Sequence, residues 1–344
     1  MSRYFALILL IALSLMGCQG TSSAAVSTGL PTTVAAANTE QPADPPPSSP
    51  PPTATFAPPP TITPRPTLTP GGPTSTPTLP SPTATPTATP DPGRQLNGLP
   101  VADFVIMPQE VRDHVVEIAA LGRRLGRNPY RFSKLGDSTT LKPPFMGFFD
   151  RGEYVLGPYE YLQPTIDYYQ GSFDRVGVAA RVGLHSWGVF DPLWAFKQWC
   201  EPNEDMLACE FRYNNPGLLW VRLGPNDNGA PSVFEYHLKE VIEYCLELGV
   251  IPVLVTKADR FEGPENTNND IMRAAAAEFL VPLMEFDIVA GTLPNRGLGE
   301  DGVHLVPRYI PHDYTDPETF TSGHAVLDLT ALLMLHEIHQ ALEE

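Results

Sequence analysis

Leu218-Leu219-Trp220-Val221-Arg222-Leu223 runs without a break into Gly224-Pro225-Asn226-Asp227. The first six residues have the length and apolar composition of a buried strand. The four that follow are turn residues, so the strand ends in a polar loop. Downstream, Ser232 with Glu235 three residues later reads as a capping box that opens a helix. That helix runs to Leu248 and stops at Gly249, and Val250-Ile251-Pro252-Val253-Leu254-Val255 is the next strand. A helix over roughly Asn268 to Glu278 and a last strand within Leu280 to Val289, near Pro282-Leu283-Met284-Glu285-Phe286, continue the alternation. Upstream, Val111, Val115, Ile118 and Leu121 give Pro108 to Arg124 a helical period, and Pro108 suits a first turn. Tyr130-Arg131-Phe132-Ser133-Lys134 reads as the first core strand, Arg175 to Gly183 as the second strand with its turn, and Leu193 to Trp199 as a short helical piece. An amphipathic helix from His324 to Leu342 closes the chain. Strands alternating with helices predict an α/β fold, a parallel sheet covered on both faces, with ligands at the carboxyl ends of its strands.

Only part of the 344 residues has a composition that folds. More than half of the 40 prolines precede Gly93. Gln19 to Pro92 is made mostly of Pro, Thr, Ser and Ala, with few charges and almost no large apolar side chains. Such a segment buries too little surface to offset its ordering entropy. Residues 19–93 are therefore expected to be a disordered, extended linker, and residues 94–344 a single domain large enough for a real core. Ahead of the linker, Met1-Ser2-Arg3 and the apolar run Tyr4 to Leu15 read as an export signal, too short to span a bilayer comfortably. The net charge of -17, nearly all of it after the linker, disfavours nucleic acid and anionic lipid head groups as partners.

The strand ends carry the chemistry. Leu135-Gly136-Asp137-Ser138-Thr139-Thr140 puts a serine hydroxyl just after the first strand. Gly-Asp-Ser alone is ordinary turn composition; its meaning depends on what the other strand ends supply. Asn226 offers a side-chain amide. Asp301-Gly302-Val303-His304 sets a carboxylate and an imidazole three residues apart, so one short turn carries both and the carboxylate fixes the ring tautomer. A serine hydroxyl is a poor nucleophile until a base takes its proton. The tetrahedral oxyanion that follows needs preorganised donors.

In this order, these blocks resemble the SGNH hydrolases, also called the GDSL esterase/lipase family. The resemblance runs from Leu135 to His304. It implies a three-layer α/β/α sandwich with a parallel, flavodoxin-like sheet. It also implies a serine hydrolase that acts on ester bonds through an acyl-serine intermediate, with no cofactor and no metal. On this reading Ser138 is the nucleophile, His304 the base and Asp301 its carboxylate, while Ser138, Gly183 and Asn226 form the oxyanion hole. Gly183 is the best match to the family's second glycine block, with Gly177 and Gly188 as nearby alternatives. Thr139 stands where the family has Leu, which touches no catalytic role. The segment between Ser138 and Gly183 is longer than usual, which leaves the substrate cleft open. Separately, Leu15-Met16-Gly17-Cys18 resembles the lipobox of bacterial lipoproteins, with Met16 an unusual residue at its position. That resemblance implies lipidation at Cys18 and a catalytic domain tethered to the membrane on its extracytoplasmic side.

Other features keep two readings. Cys200 and Cys209 are either a disulfide, as an exported protein allows, or two free thiols. Cys245 reads as an inert buried thiol. The aromatic-rich stretch Leu141 to Ser172 either packs over the sheet or walls a cleft. His185, His237, His312, His324, His336 and His339 are taken as structural or surface groups. Asp259 and Glu262 are taken as solvated loop charges, near enough in sequence to a strand end to border the pocket. Three functions follow: an esterase acting on acetyl esters of a polysaccharide or cell-wall glycan, an acyltransferase using the same residues, or a non-catalytic carbohydrate-binding module.

Overall fold

The computed structural model describes residues 92–343. The export signal, Cys18 and nearly all of the linker lie outside the described residues. A hairpin of β1 (Gln95–Leu96) and β2 (Leu99–Pro100) leads into β3 (Val105–Ile106) and α1 (Gln109–Arg124). Then come β4 (Asn128–Gly136), α2 (Ser138–Leu141), α3 (Phe148–Arg151), β5 (Tyr154–Val155), α4 (Gln163–Tyr168) and α5 (Met206–Asn214). The second half alternates β6 (Pro216–Arg222), α6 (Pro231–Glu247), β7 (Ile251–Val255), α7 (Thr267–Phe279), β8 (Leu283–Met284) and α8 (Phe286–Ala290). The short β9 (His312–Asp313) and the long α9 (Gly323–Glu343) end it.

The central sheet has the order β3-β8-β7-β6-β4. Its neighbours are parallel except β3, which runs antiparallel to β8. On the free edge of β4, Gly136 makes a parallel bridge to Ala180. Counting that segment as a strand gives the parallel order 2-1-3-4-5 of flavodoxin-like sheets, with β3 added antiparallel at the far edge. Successive strand residues point to opposite faces. Phe132, Leu218, Trp220, Ile251, Val253 and Val255 pack in one core with α1 and α9. Leu135, Leu219, Val221, Leu254 and Leu283 pack in a second core with α5, α6 and α7. The result is the expected three-layer sandwich. Among the described residues, no helix is long and apolar enough to cross a membrane.

Several expectations are corrected. Arg175 to Gly183 is no strand beyond the bridge at Ala180. The buried Glu210 carboxylate pulls this segment away from the ladder, accepting from the Val178 N–H at 2.7 Å and pairing with Arg175. Helix α6 has no capping box: it starts at Pro231, and Ala230 at the N-cap offers no side chain. Proline at the first position has no N–H to satisfy and a preset φ, so Ser232 falls inside the helix. Leu193 to Trp199 shrinks to one 3₁₀ turn, Pro192–Trp194.

Helix α9 is buried almost all round rather than amphipathic, because the sheet lies on one side and α1 and α4 lie on others. The aromatic stretch packs: Phe145, Phe148, Phe149, Tyr159 and Tyr169 are buried core. Asp259 and Glu262 are not solvated. Their side chains are 2% and 4% exposed, because the ammonium of buried Lys257 pairs with both.

Candidate active site

Strand β4 delivers the candidate nucleophile. Asp137 caps α2, accepting from the Thr139 N–H at 2.8 Å and the Thr139 hydroxyl at 2.7 Å. Ser138, half-buried, opens the helix. Below it, Arg222 at the end of β6 donates to the Thr139 carbonyl at 3.0 Å and lies over the Phe145 ring at 4.5 Å. Burial pushes the Asp137 carboxyl up from its ordinary value, against the Thr139 hydrogen bonds and the nearby Arg222 charge.

The candidate base comes from a loop after β8. That loop is closed by a bridge between Leu298 and Leu305 and by the Gly299 N–H donating to the His304 carbonyl at 2.8 Å. One Asp301 oxygen accepts from the Val303 and His304 backbone N–H groups at 3.0 and 2.9 Å. The other lies 2.7 Å from His304 Nδ1. His304 Nε2 lies 2.7 Å from Ser138 Oγ. With Nδ1–H donating to the carboxylate, Nε2 is the acceptor facing the serine O–H, which is the tautomer a general base needs. The backbone N–H groups of Val303 and His304, with the imidazole after them, hold Asp301 down at about 2.

Two further candidate oxyanion donors sit on two other loops. Gly183 has φ +74 in the turn closed by the Leu184 N–H on the Arg181 carbonyl, a backbone shape that favours glycine. Among the described residues, no protein acceptor takes the N–H of Ser138 or of Gly183. Asp227 accepts from the Ser186 N–H at 3.0 Å and the Ser186 hydroxyl at 2.8 Å, which ties the Gly183 loop to the Asn226 loop. Burial raises the Asp227 carboxyl, and the Ser186 bonds oppose it. Asn226 Nδ2 donates at 3.1 Å to Asp137 and at 3.1 Å to the Leu184 carbonyl. Both amide hydrogens thus have acceptors, and to serve an oxyanion the amide must exchange one of them.

A narrow cleft of about 20 Å³ lies beside this group. Thr139, Pro225 and Val303, the neighbours of Ser138, Asn226 and His304, line it together with Val255, Phe286 and Leu305. Asp259, paired with Lys257, also lines this cleft, as its place after a strand end allowed, while the cysteines lie elsewhere. Cys200 and Cys209 form a disulfide in the core beside α5 and α6, with Cα atoms 5.4 Å apart. Cys245 is a buried free thiol, pushed up by desolvation.

Asp137, Arg222 and Asp227 support the site and are absent from the expected set. Each had a signal: the two aspartates stand beside Ser138 and Asn226 in their motifs, and Arg222 is the one charge in an apolar strand.

No protein-family model matches this sequence, and no curated protein matches it. Solved structures do resemble it. TesA is 18% identical with a TM-score of 0.40, and the match covers 60% of this chain and 99% of that one. Axe2, an acetylxylan esterase from Geobacillus stearothermophilus, is 15% identical with a TM-score of 0.38, covering 60% and 93%. The esterase EstA from Pseudoalteromonas sp. is 16% identical with a TM-score of 0.35, covering 51% and 87%.

Proposed function

We propose that this chain is a serine hydrolase that cleaves an ester through an acyl-serine intermediate on Ser138. The observation that carries the reading is the continuous chain of two 2.7 Å contacts, Ser138 Oγ to His304 Nε2 and His304 Nδ1 to Asp301. His304 takes the serine proton as Oγ attacks the ester carbonyl, and the imidazolium is stabilised by Asp301. The backbone N–H groups of Ser138 and Gly183, with Asn226, receive the oxyanion. The imidazolium then protonates the leaving alcohol. Water, deprotonated by the same ring, attacks the acyl-serine and releases the acid.

The substrate we propose is an acetyl ester of a polysaccharide or cell-wall glycan. The lipobox-like Leu15 to Cys18 and the proline-rich segment support a lipid-anchored, extracytoplasmic enzyme, as does a disulfide in the domain.

The test compares wild type with Ser138→Ala on short- and long-chain aryl esters. A loss of about a thousandfold or more in kcat/KM, with acetyl preferred over long chains, is expected. Equal rates in the two proteins would sink the assignment.

A further inference from the structure

A second histidine–carboxylate group lies inside the domain, apart from the catalytic contacts. His312 on β9 and His324 and Asp328 on the first turns of α9 converge in the core, at 0%, 2% and 0% exposure. His312 Nδ1 is 3.7 Å from Asp328 Oδ2, and His324 Nε2 is 3.8 Å from Asp328 Oδ1. One donor atom from each residue lies within 4.8 Å of the other two. These distances are too long for hydrogen bonds. Asp328 Oδ2 is buried without a hydrogen-bond partner, and the ring nitrogens meet only loose backbone contacts, His312 with Arg308 and His324 with Pro144. One nitrogen of each ring is thus left over, and buried polar atoms so close together call for a common occupant.

Asp328 is not simply the counter-ion of the buried cations near it. Lys134 donates to the Phe145 and Phe173 carbonyls at 2.5 and 2.6 Å, and Arg222 to the Thr139 carbonyl. Among the described residues neither comes within ion-pair distance of Asp328, whose Oδ1 instead accepts from the Met146 N–H at 2.8 Å.

We propose that His312, His324 and Asp328 bind one divalent transition-metal ion, with zinc the best fit. Two imidazole nitrogens and a carboxylate oxygen are zinc donors, and bonds of about 2.0–2.2 Å place tetrahedral ligands roughly 3.3 Å apart. The two His–Asp separations, one to each carboxylate oxygen, close by about 0.5 Å, and the three donor atoms, now within 4.8 Å of one another, draw together around the ion. Phe148, stacked on His312 at 4.1 Å between ring centroids, holds that ring in place. The ion joins β9 to the start of α9. Through the Asp328–Met146 hydrogen bond it also braces the segment that follows the nucleophile helix. Three protein ligands leave the fourth position to a water, and the burial of all three residues keeps substrate out, so the role is structural.

The experiment measures metal content in the untagged full chain, expressed and refolded with Zn2+ and, separately, with Co2+. Elemental analysis after dialysis should give about one ion per wild-type chain. Co2+ should show the visible absorption of a tetrahedral nitrogen/oxygen site, and the metal should raise Tm. Asp328→Asn should lose at least tenfold in occupancy and show no Tm response. Should that variant fail to fold, His324→Gln serves the same purpose. Wild-type protein with less than about a tenth of an ion per chain would overturn the proposal. So would variants that retain the wild-type metal content, which would place the ion elsewhere. Metal content is read without ester hydrolysis, so failure here leaves the esterase reading standing.

Discussion

Two histidine–carboxylate groups lie close together in the chain and in opposite surroundings. Asp301 and His304 sit on a solvent-facing loop, and their side chains are 54% and 36% exposed. His312, His324 and Asp328 are almost wholly buried. In the first group two backbone N–H groups fix the carboxylate, which fixes the ring, which meets a serine at 2.7 Å. In the second, the shortest His–Asp separation is 3.7 Å and neither ring has a side-chain hydrogen-bond partner. A group that gains and loses charge in each turnover needs preset partners and water nearby to tolerate the charge. A buried group without partners carries a desolvation cost of about 1–3 kcal/mol per atom, so it persists only if something stable fills it. On the two proposals, the same residue types make a catalytic pair in one place and a structural metal site in the other.

The comparison breaks first at the bases. His304→Ala should lower kcat/KM on a short-chain aryl ester by about 10⁴-fold or more, and adding Ser138→Ala should cost little further, because the members act as a unit. Its Tm should barely move, since the ring is on the surface. Asp301→Asn should cost less. A buried triad aspartate is worth about 10⁴-fold, and Asp301 is half exposed, so a loss of about 10²–10³-fold in kcat is expected from steady-state kinetics. Asn226→Ala should lower kcat by about a hundredfold with KM little changed, as for loss of one oxyanion donor. An unchanged kcat would show that its bonds to Asp137 and Leu184 are its whole role.

The buried group should show the reverse pattern. His324→Ala should destabilise the metal-loaded fold by about 2 kcal/mol in urea denaturation, while kcat stays within roughly tenfold of wild type. The smallest effect concerns acid. Asp301 is held at about 2, below its ordinary 3.8. Its contribution to stability is therefore fully present above about pH 4 and is lost as pH falls towards 2. The gap in stability between wild type and Asp301→Asn should be small and should close over that range in acid-unfolding curves.

The catalytic side of this contrast was legible in the sequence because it is local. Asp301 and His304 share one turn, Ser138 follows the first strand, and Asn226 follows the apolar run of β6. The sheet was legible for the same reason, except where a distant charge intervened. Glu210 draws Arg175 to Val178 out of the ladder, and nothing near residue 175 in the chain announces it. Lys257 buries Asp259 and Glu262 from only two and five residues away, but its own burial under the strand ends, not the local sequence, is what draws them in. His312 has no short-range link to Asp328; their meeting depends on where β9 and α9 pack, which periodicity does not encode.

The central claim is that Ser138 is the activated nucleophile. Its most direct measurement is intact-mass and peptide mapping of the full chain after reaction with a fluorophosphonate probe. The account predicts one adduct per chain, on the peptide holding Ser138, and at least a hundredfold slower labelling in His304→Ala. An unlabelled wild-type protein, or an adduct on a different serine such as Ser186, would contradict it.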